Sequence, residues 1–372
     1  MYSLGFHASN LNEGGAMVEI RTKGRTLGPN QPTYIIAEMA WSHDGSVEKA
    51  SSIINGAAEA KADAISIHIT SLADYMVPHY GSGKGRVSAG KEDQNIYRYL
   101  EAINLKFDDW RHLIPQAKGL GLDVCVMCND WPSFEFVKPL DPEMYVISAA
   151  SFAEEDFVRA LAQTQRPLLL RVGGASLGEM EKVIFWAKDE GNHRLILLFG
   201  FQNYPTRIEE THLAFLTTLK QTFGFQVGLA DHLDADDDLA LLLPLLAIPL
   251  GATVIEKHVT HDRQLRGEDF ESALNPDELK KMVSYVRRVE KAIGPAHIQE
   301  IYSSMDAYRQ ISRKKIVAAR DLQEGEVIGQ ESINFKRSDG GMTPDEMKYI
   351  LGRKVKGRLS ANDPITQETV LW

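Results

Sequence analysis

The stretch TVIEKHV, residues 253–259, is a short apolar run that ends in charge. As a β-strand its period of two puts Glu256 and His258 on one face. The run before it, QVGLADH (226–232), has the same form and ends in Asp231 and His232. Six more such runs lie upstream: YIIAEMA (34–40), AISIHIT (64–70), LDVCVMC (122–128), MYVISA (144–149), RPLLLRVG (166–173) and RLILLFGF (194–201). Amphipathic helical patterns separate most of them, among them VEKASSIINGAAEAK (47–61), SLGEMEKVIFWAKDEG (176–191) and EETHLAFLTTLKQTF (209–223), and PDELKKMVSYVRRVEKAIG (276–294) closes the series. Roughly eight βα units of this length predict an α/β fold, a (β/α)8 TIM barrel, rather than an open doubly wound sheet. No G-x-G-x-x-G follows any of the runs, so a dinucleotide-binding fold has no support. After about residue 295 the pattern becomes short, strand-like and rich in turns, which predicts a small β-rich C-terminal domain.

The formal net charge of −10 disfavours a nucleic-acid or anionic-membrane surface and leaves room for a local basic pocket that takes a small anion. The two cysteines, Cys125 and Cys128, lie three apart in a strand and so point to opposite faces. They read as buried thiols, not as a redox or zinc pair, and so few cysteines fit a reducing, cytoplasmic setting. The opening MYSLGFHASNLNEGG has no apolar core of signal-peptide length. The run LALLLPLLAIPLGA (239–252) is too short to span a bilayer, is broken by Pro244 and Pro249, and is expected to be a buried helix ending in a turn.

In a TIM barrel the functional side chains come from the C-terminal ends of the strands. Those ends supply Glu38, with His43 and Asp44 just beyond it, then Ser66 and His68, Arg171, the pair Asp231 and His232, and the pair Glu256 and His258. Inward histidines on neighbouring strands, His232 and His258, suit a divalent metal with positions left open for water or substrate. The structural alternative is two histidines satisfied by hydrogen bonds. Asp231, Glu256 and Asp269 would orient the imidazoles or bind substrate hydroxyls. Glu38 is either a general base, a hydroxyl anchor or half of a rim salt bridge. The irregular segment 71–95 carries Lys84, Arg86 and Lys91, which would meet an anionic ligand or simply be solvated.

IIAEMAWSHDGSVEKA (35–50), NYPTRIEETHLAFLTTLK (203–220), FGFQVGLADH (223–232), GATVIEKHVTHDR (251–263) and GEDFESALNPDELKKMV (267–283) resemble the sialic acid synthase family. ARDLQEGEVI (319–328) and LGRKVKGRL (351–359) resemble its antifreeze-like, or SAF, domain. The resemblance implies a tail at 1–16, a catalytic barrel at 17–295, a linker at 296–310 and an SAF domain at 311–372. It implies a metal-dependent condensation of phosphoenolpyruvate with an amino-sugar aldehyde, with Mn2+ or Mg2+ on His232 and His258. It carries a catalytic role to Glu38 and substrate roles to Tyr204, Glu256 and Asp269. It also implies a domain-swapped homodimer in which Arg337, in FKRSDGG (335–341), completes the partner's site.

The other half of the family pattern does not carry over. Its second strand reads like ADAVKFQ, with a lysine for phosphoenolpyruvate, where this chain has Ser66 and His68. Its Ser-Thr-Pro aligns with Val126, Met127 and Cys128, and its strand-four lysine, serine and glutamate with Val146, Ala149 and Ser151. Arg171, Val172 and Gly173 replace a Ser-Thr-Gly, and Ala230 a serine. Two lysines and several hydroxyls are lost and one cation, Arg171, is gained. The expected function is therefore the family condensation with a rebuilt anion site, with Ser66 binding substrate and His68 and Arg171 as catalytic groups. The alternative is a divergent metal-dependent aldolase, isomerase or lyase on a sugar-like substrate without phosphoenolpyruvate, or a non-catalytic homologue.

Overall fold

The computed structural model describes residues 19–79, 95–201, 203–294 and 298–372. The chain divides into two compact units, residues 1–293 and 294–372.

The first unit is a closed barrel of eight parallel strands. In order they are β1 (Tyr34–Ala40), β2 (Ala64–Ile69), β3 (Asp123–Cys128), β4 (Met144–Ile147), β5 (Leu168–Arg171), β6 (Leu195–Phe199), β7 (Gln226–Asp231) and β8 (Ala252–His258). β8 pairs with β1 and closes the ring. Alternation sorts each strand between two apolar layers. Ile36, Met127, Val146, Leu169, Leu198 and Val254 pack together as one cluster. Ile35, Ile65, Val124, Leu170, Leu197 and Ile255 join the larger cluster that also holds helix residues. Cys125 belongs to the first layer and Cys128 to the second, so the two thiols do face apart, and both are free and buried.

The helices start where local chemistry allows. Ser46 caps Val47–Glu59, its Oγ accepting from Lys49 N–H at 3.2 Å. Ser176 and Glu179 form a reciprocal capping box at the head of Leu177–Asp189. The 239–252 run departs from expectation: only Leu243–Ala247 is helical, and Leu239, Leu242 and Leu246 are exposed. Pro244 is well placed in the first turn of a helix but blocks continuation from upstream. No described helix is long and apolar enough to cross a membrane.

The strand ends approach so closely that side chains are forbidden at two points. A Cβ on Gly173, after β5, would lie 1.8 Å from the Gly200 carbonyl oxygen, and a Cβ on Gly200, after β6, would lie 1.8 Å from that of Ala230. Both obstacles are backbone, so repacking cannot relieve them. Gly200→Ala is expected to cost about 3 kcal/mol in urea unfolding, the upper end for overpacking; a loss below about 0.5 kcal/mol would mean that β6 and β7 part readily.

The second unit begins with a helix, Ile298–Ser312, over most of the segment read as a linker. Lys314–Ala318 then pairs antiparallel with Ile333–Arg337, and Lys354–Val355 with Val370–Leu371. Its core gathers Ile316, Leu322, Ile328, Ile350 and Ile365.

Candidate active site

Strand register carries the predicted residues to one end of the barrel. Glu38 stands level with Ser66 on one side and with His258 on the other. Glu256 is level with Ala230. Glu38, Ser66, Arg171, His232, Glu256 and His258 are all buried. His68 is partly buried.

Arg171 links the carboxylates. Its Nη2 donates to Glu38 Oε2 and lies 2.7 Å from Glu256 Oε1. The other oxygen of Glu38 accepts from Ala40 N–H at 2.7 Å and lies 3.6 Å from His68 Nε2. Burial pushes the Glu38 carboxyl upward, yet Arg171, then His68, Ser66 and the Ala40 N–H, hold it below its ordinary value. Glu256 has no such backbone donor: burial and the neighbouring Glu38 charge outweigh Arg171 and push it up to about 7. Burial lowers His68 to about 4, so its imidazole is neutral near pH 7. One carboxylate thus stays charged while the other sits near neutral pH, where a group can both take and give a proton.

His232 and His258 face each other with ring centroids 4.9 Å apart. Burial first, and neighbouring positive charge second, drives His232 down to about 3 and His258 well below its ordinary value. Both are therefore neutral, the form that binds metals. Both ring nitrogens of His232 and Nδ1 of His258 are buried without a hydrogen-bond partner. His258 Nδ1 lies 3.8 Å from Asp269 Oδ2. Tyr204 stands edge-on to both rings, at 5.1 and 5.3 Å, with its hydroxyl 3.4 Å from His258 Nε2. Neighbouring Thr206 fixes this segment through an N–H bond to His232 O at 2.8 Å. Hydrogen bonding does not satisfy this pair as it would two core histidines, and the orphaned nitrogens fit a divalent ion. Among the described residues no third His, Cys, Asp or Glu joins them in a metal-holding group, so most positions on an ion would fall to water or substrate.

Residues 53–298 match the NeuB family, and residues 313–371 match the SAF domain. The chain belongs to the NeuB family. Among curated relatives, this NeuB-family chain is 29% identical to the pseudaminic acid synthase of Campylobacter jejuni, over 91% of this chain and 96% of the relative. It is also 29% identical to the N,N'-diacetyllegionaminic acid synthase of Legionella pneumophila, over 93% and 95%. Among solved structures, the N-acetylneuraminic acid synthetase of Leptospira borgpetersenii in complex with citrate aligns with a TM-score of 0.67 and 26% identity, covering 79% of this chain and 98% of that one. These relatives place the chain among enzymes of sialic-acid-like, nonulosonic acid biosynthesis.

The NeuB-family barrel supports its strand ends with groups that sequence reasoning passed over. Lys257, between Glu256 and His258, is fully buried. Its Nζ donates to Asp231 Oδ2 at 2.7 Å and to Leu233 O at 3.3 Å. Asp231 Oδ1 accepts from Leu233 N–H at 3.0 Å, so Asp231 serves this clamp between β7 and β8. Alternation was the available signal, because a lysine flanked by two inward residues must face the helices and needs a buried partner there. Ser42 Oγ donates to Glu268 O at 3.1 Å and Asp44 Oδ1 accepts from Glu268 N–H at 3.0 Å, which pins the loop that carries Asp269. Arg337 belongs to the second unit, where it is exposed and its Nε donates to Ile311 O at 3.0 Å. Lys84, Arg86 and Lys91 lie outside the described residues.

Proposed function

We propose that this chain joins phosphoenolpyruvate to the aldehyde of an open-chain amino sugar and so forms a nonulosonic acid. The observation that carries this reading is the neutral pair His232 and His258, three of whose four ring nitrogens have no hydrogen-bond partner, beside Tyr204 at the mouth of a NeuB-family barrel. These two residues would hold Mn2+ or Mg2+, which when bound supplies Lewis acidity at a carbonyl oxygen. Glu256 and Asp269 anchor sugar hydroxyls, and Tyr204 fixes the sugar against the imidazoles. Glu38, kept ionised by Arg171, orients the reacting end, and His68 is the neutral group beside it that moves a proton. Ser66 and Arg171 face the three-carbon acid. A domain-swapped homodimer would bring Arg337 of one protomer to the site of the other, and two buried free thiols suit the cytoplasm.

A second reading has one observation in its favour. Arg171 already contacts both Glu38 and Glu256, so little of its charge remains for a phosphate. On that reading the chain is a metal-dependent aldolase, isomerase or lyase for a sugar-like substrate. Incubation with Mn2+, phosphoenolpyruvate and a panel of N-acetylated amino sugars separates the two. Phosphate release together with a nine-carbon acid in the mass spectrum is expected. Absence of both with every sugar would remove the condensation.

A further inference from the structure

Arg171 is only 3% exposed, and its partners occupy one nitrogen. Nη2 serves both Glu38 and Glu256, while Nε and Nη1 are buried with no hydrogen-bond partner. A guanidinium has five N–H donors and no acceptor, so the donors on Nε and Nη1 remain unmet. Buried donors of a charged group need an acceptor, and where the chain supplies none, water or a ligand does; an anionic ligand also answers the charge. His68 Nε2 is a further unpartnered buried nitrogen beside the same cluster, 3.6 Å from Glu38 Oε1.

The balance of charge limits what that ligand can be. Among the described residues the buried cations are Arg171 and Lys257. Lys257 is committed to Asp231 and Leu233 O. By alternation it faces away from Glu256 and His258. The buried cluster around Arg171 therefore has one arginine, and two carboxylates already touch it. A single carboxylate can accept from its free donors. A phosphate dianion there would add two charges beside Glu38 and Glu256 with no further buried cation among the described residues to offset them.

We infer that Arg171 anchors one carboxylate of a small 2-oxo or enol acid, and that this anchor does not grip a phosphate. The inference rests on the mouth being the substrate site, and it deepens the proposed function by assigning the acid's carboxylate to Arg171. A carboxylate also occurs on the nine-carbon sugar acids, so the same anchor would serve either the three-carbon acid or the product.

The test is calorimetric binding to the full-length protein with Mn2+ present, using pyruvate, phosphoenolpyruvate, N-acetylneuraminate and inorganic phosphate as probes. Pyruvate and phosphoenolpyruvate are expected to bind within about tenfold of each other, with phosphate at equal concentration displacing neither. If the anchor serves the product instead, N-acetylneuraminate binds and the two small acids are weak. In either case Arg171→Lys, which keeps the charge between Glu38 and Glu256 but loses the planar donors, should weaken the bound carboxylate 10- to 100-fold. Mn2+ affinity and the circular dichroism spectrum of that variant should be unchanged, which separates a lost anchor from a lost fold. Displacement by phosphate, no binding of any carboxylate, or unaltered binding in Arg171→Lys would overturn the inference. Carboxylate binding that depends on Arg171 without turnover would remove the proposed condensation alone. Turnover with unaltered carboxylate binding in Arg171→Lys would remove the anchor alone.

Discussion

Alanine at His232 or at His258 is expected to abolish metal-dependent activity and to weaken Mn2+ binding by more than about 100-fold, since altering an outer partner of a metal ligand already costs 10–100-fold. With two imidazoles and no third protein donor among the described residues, either substitution would remove half of the proposed hold on a divalent ion. The fold should tolerate the change. Both rings are neutral and make few hydrogen bonds, so alanine leaves a small cavity and no stranded charge. Titration of each variant with Mn2+, followed by calorimetry and electron paramagnetic resonance, reads the affinity without any need for turnover. Undiminished affinity and activity in either variant would sink the metal assignment.

The barrel was legible because its strands repeat one pattern: an apolar run, a polar end, then an amphipathic helix. Alternation also separated Cys125 from Cys128 correctly, since period two leaves no freedom. It brought His232 and His258 together for the same reason. Three things were not legible. The exposed leucines of 239–246 follow from Pro244, which restarts the helix and shortens it, whereas hydrophobicity alone suggested burial. The grip of Arg171 on Glu38 and Glu256 joins three strands that are far apart in sequence, and no local pattern records such a contact. The divided behaviour of the two carboxylates depends on their neighbours: Arg171, then His68, Ser66 and the Ala40 N–H hold Glu38 down, whereas burial and the Glu38 charge outweigh Arg171 at Glu256, a balance that leaves no mark on residue type.

The buried Lys257–Asp231 pair carries the other large expectation. Lys257→Met should destabilise the barrel by about 3–5 kcal/mol, because it strands the Asp231 carboxylate away from water, while the pair's own net contribution is small. Asp231→Asn should cost a similar amount by stranding the ammonium. The double variant Asp231→Asn with Lys257→Met removes both charges and should recover most of the loss, a strong coupling that a double-mutant cycle in urea unfolding measures. Additive losses would show that the two groups do not act as a pair. The clamp also bears on the site, because Lys257 lies between Glu256 and His258 on β8 and Asp231 immediately precedes His232 on β7. Slack between these strands would move both imidazoles together. Mn2+ affinity is therefore expected to fall in each single variant, measured well below its melting temperature, and to recover in the double variant along with stability. Recovery of stability without recovery of affinity would mean that the Asp231 carboxylate favours a bound cation directly, through its charge, and not only by holding the strands in register.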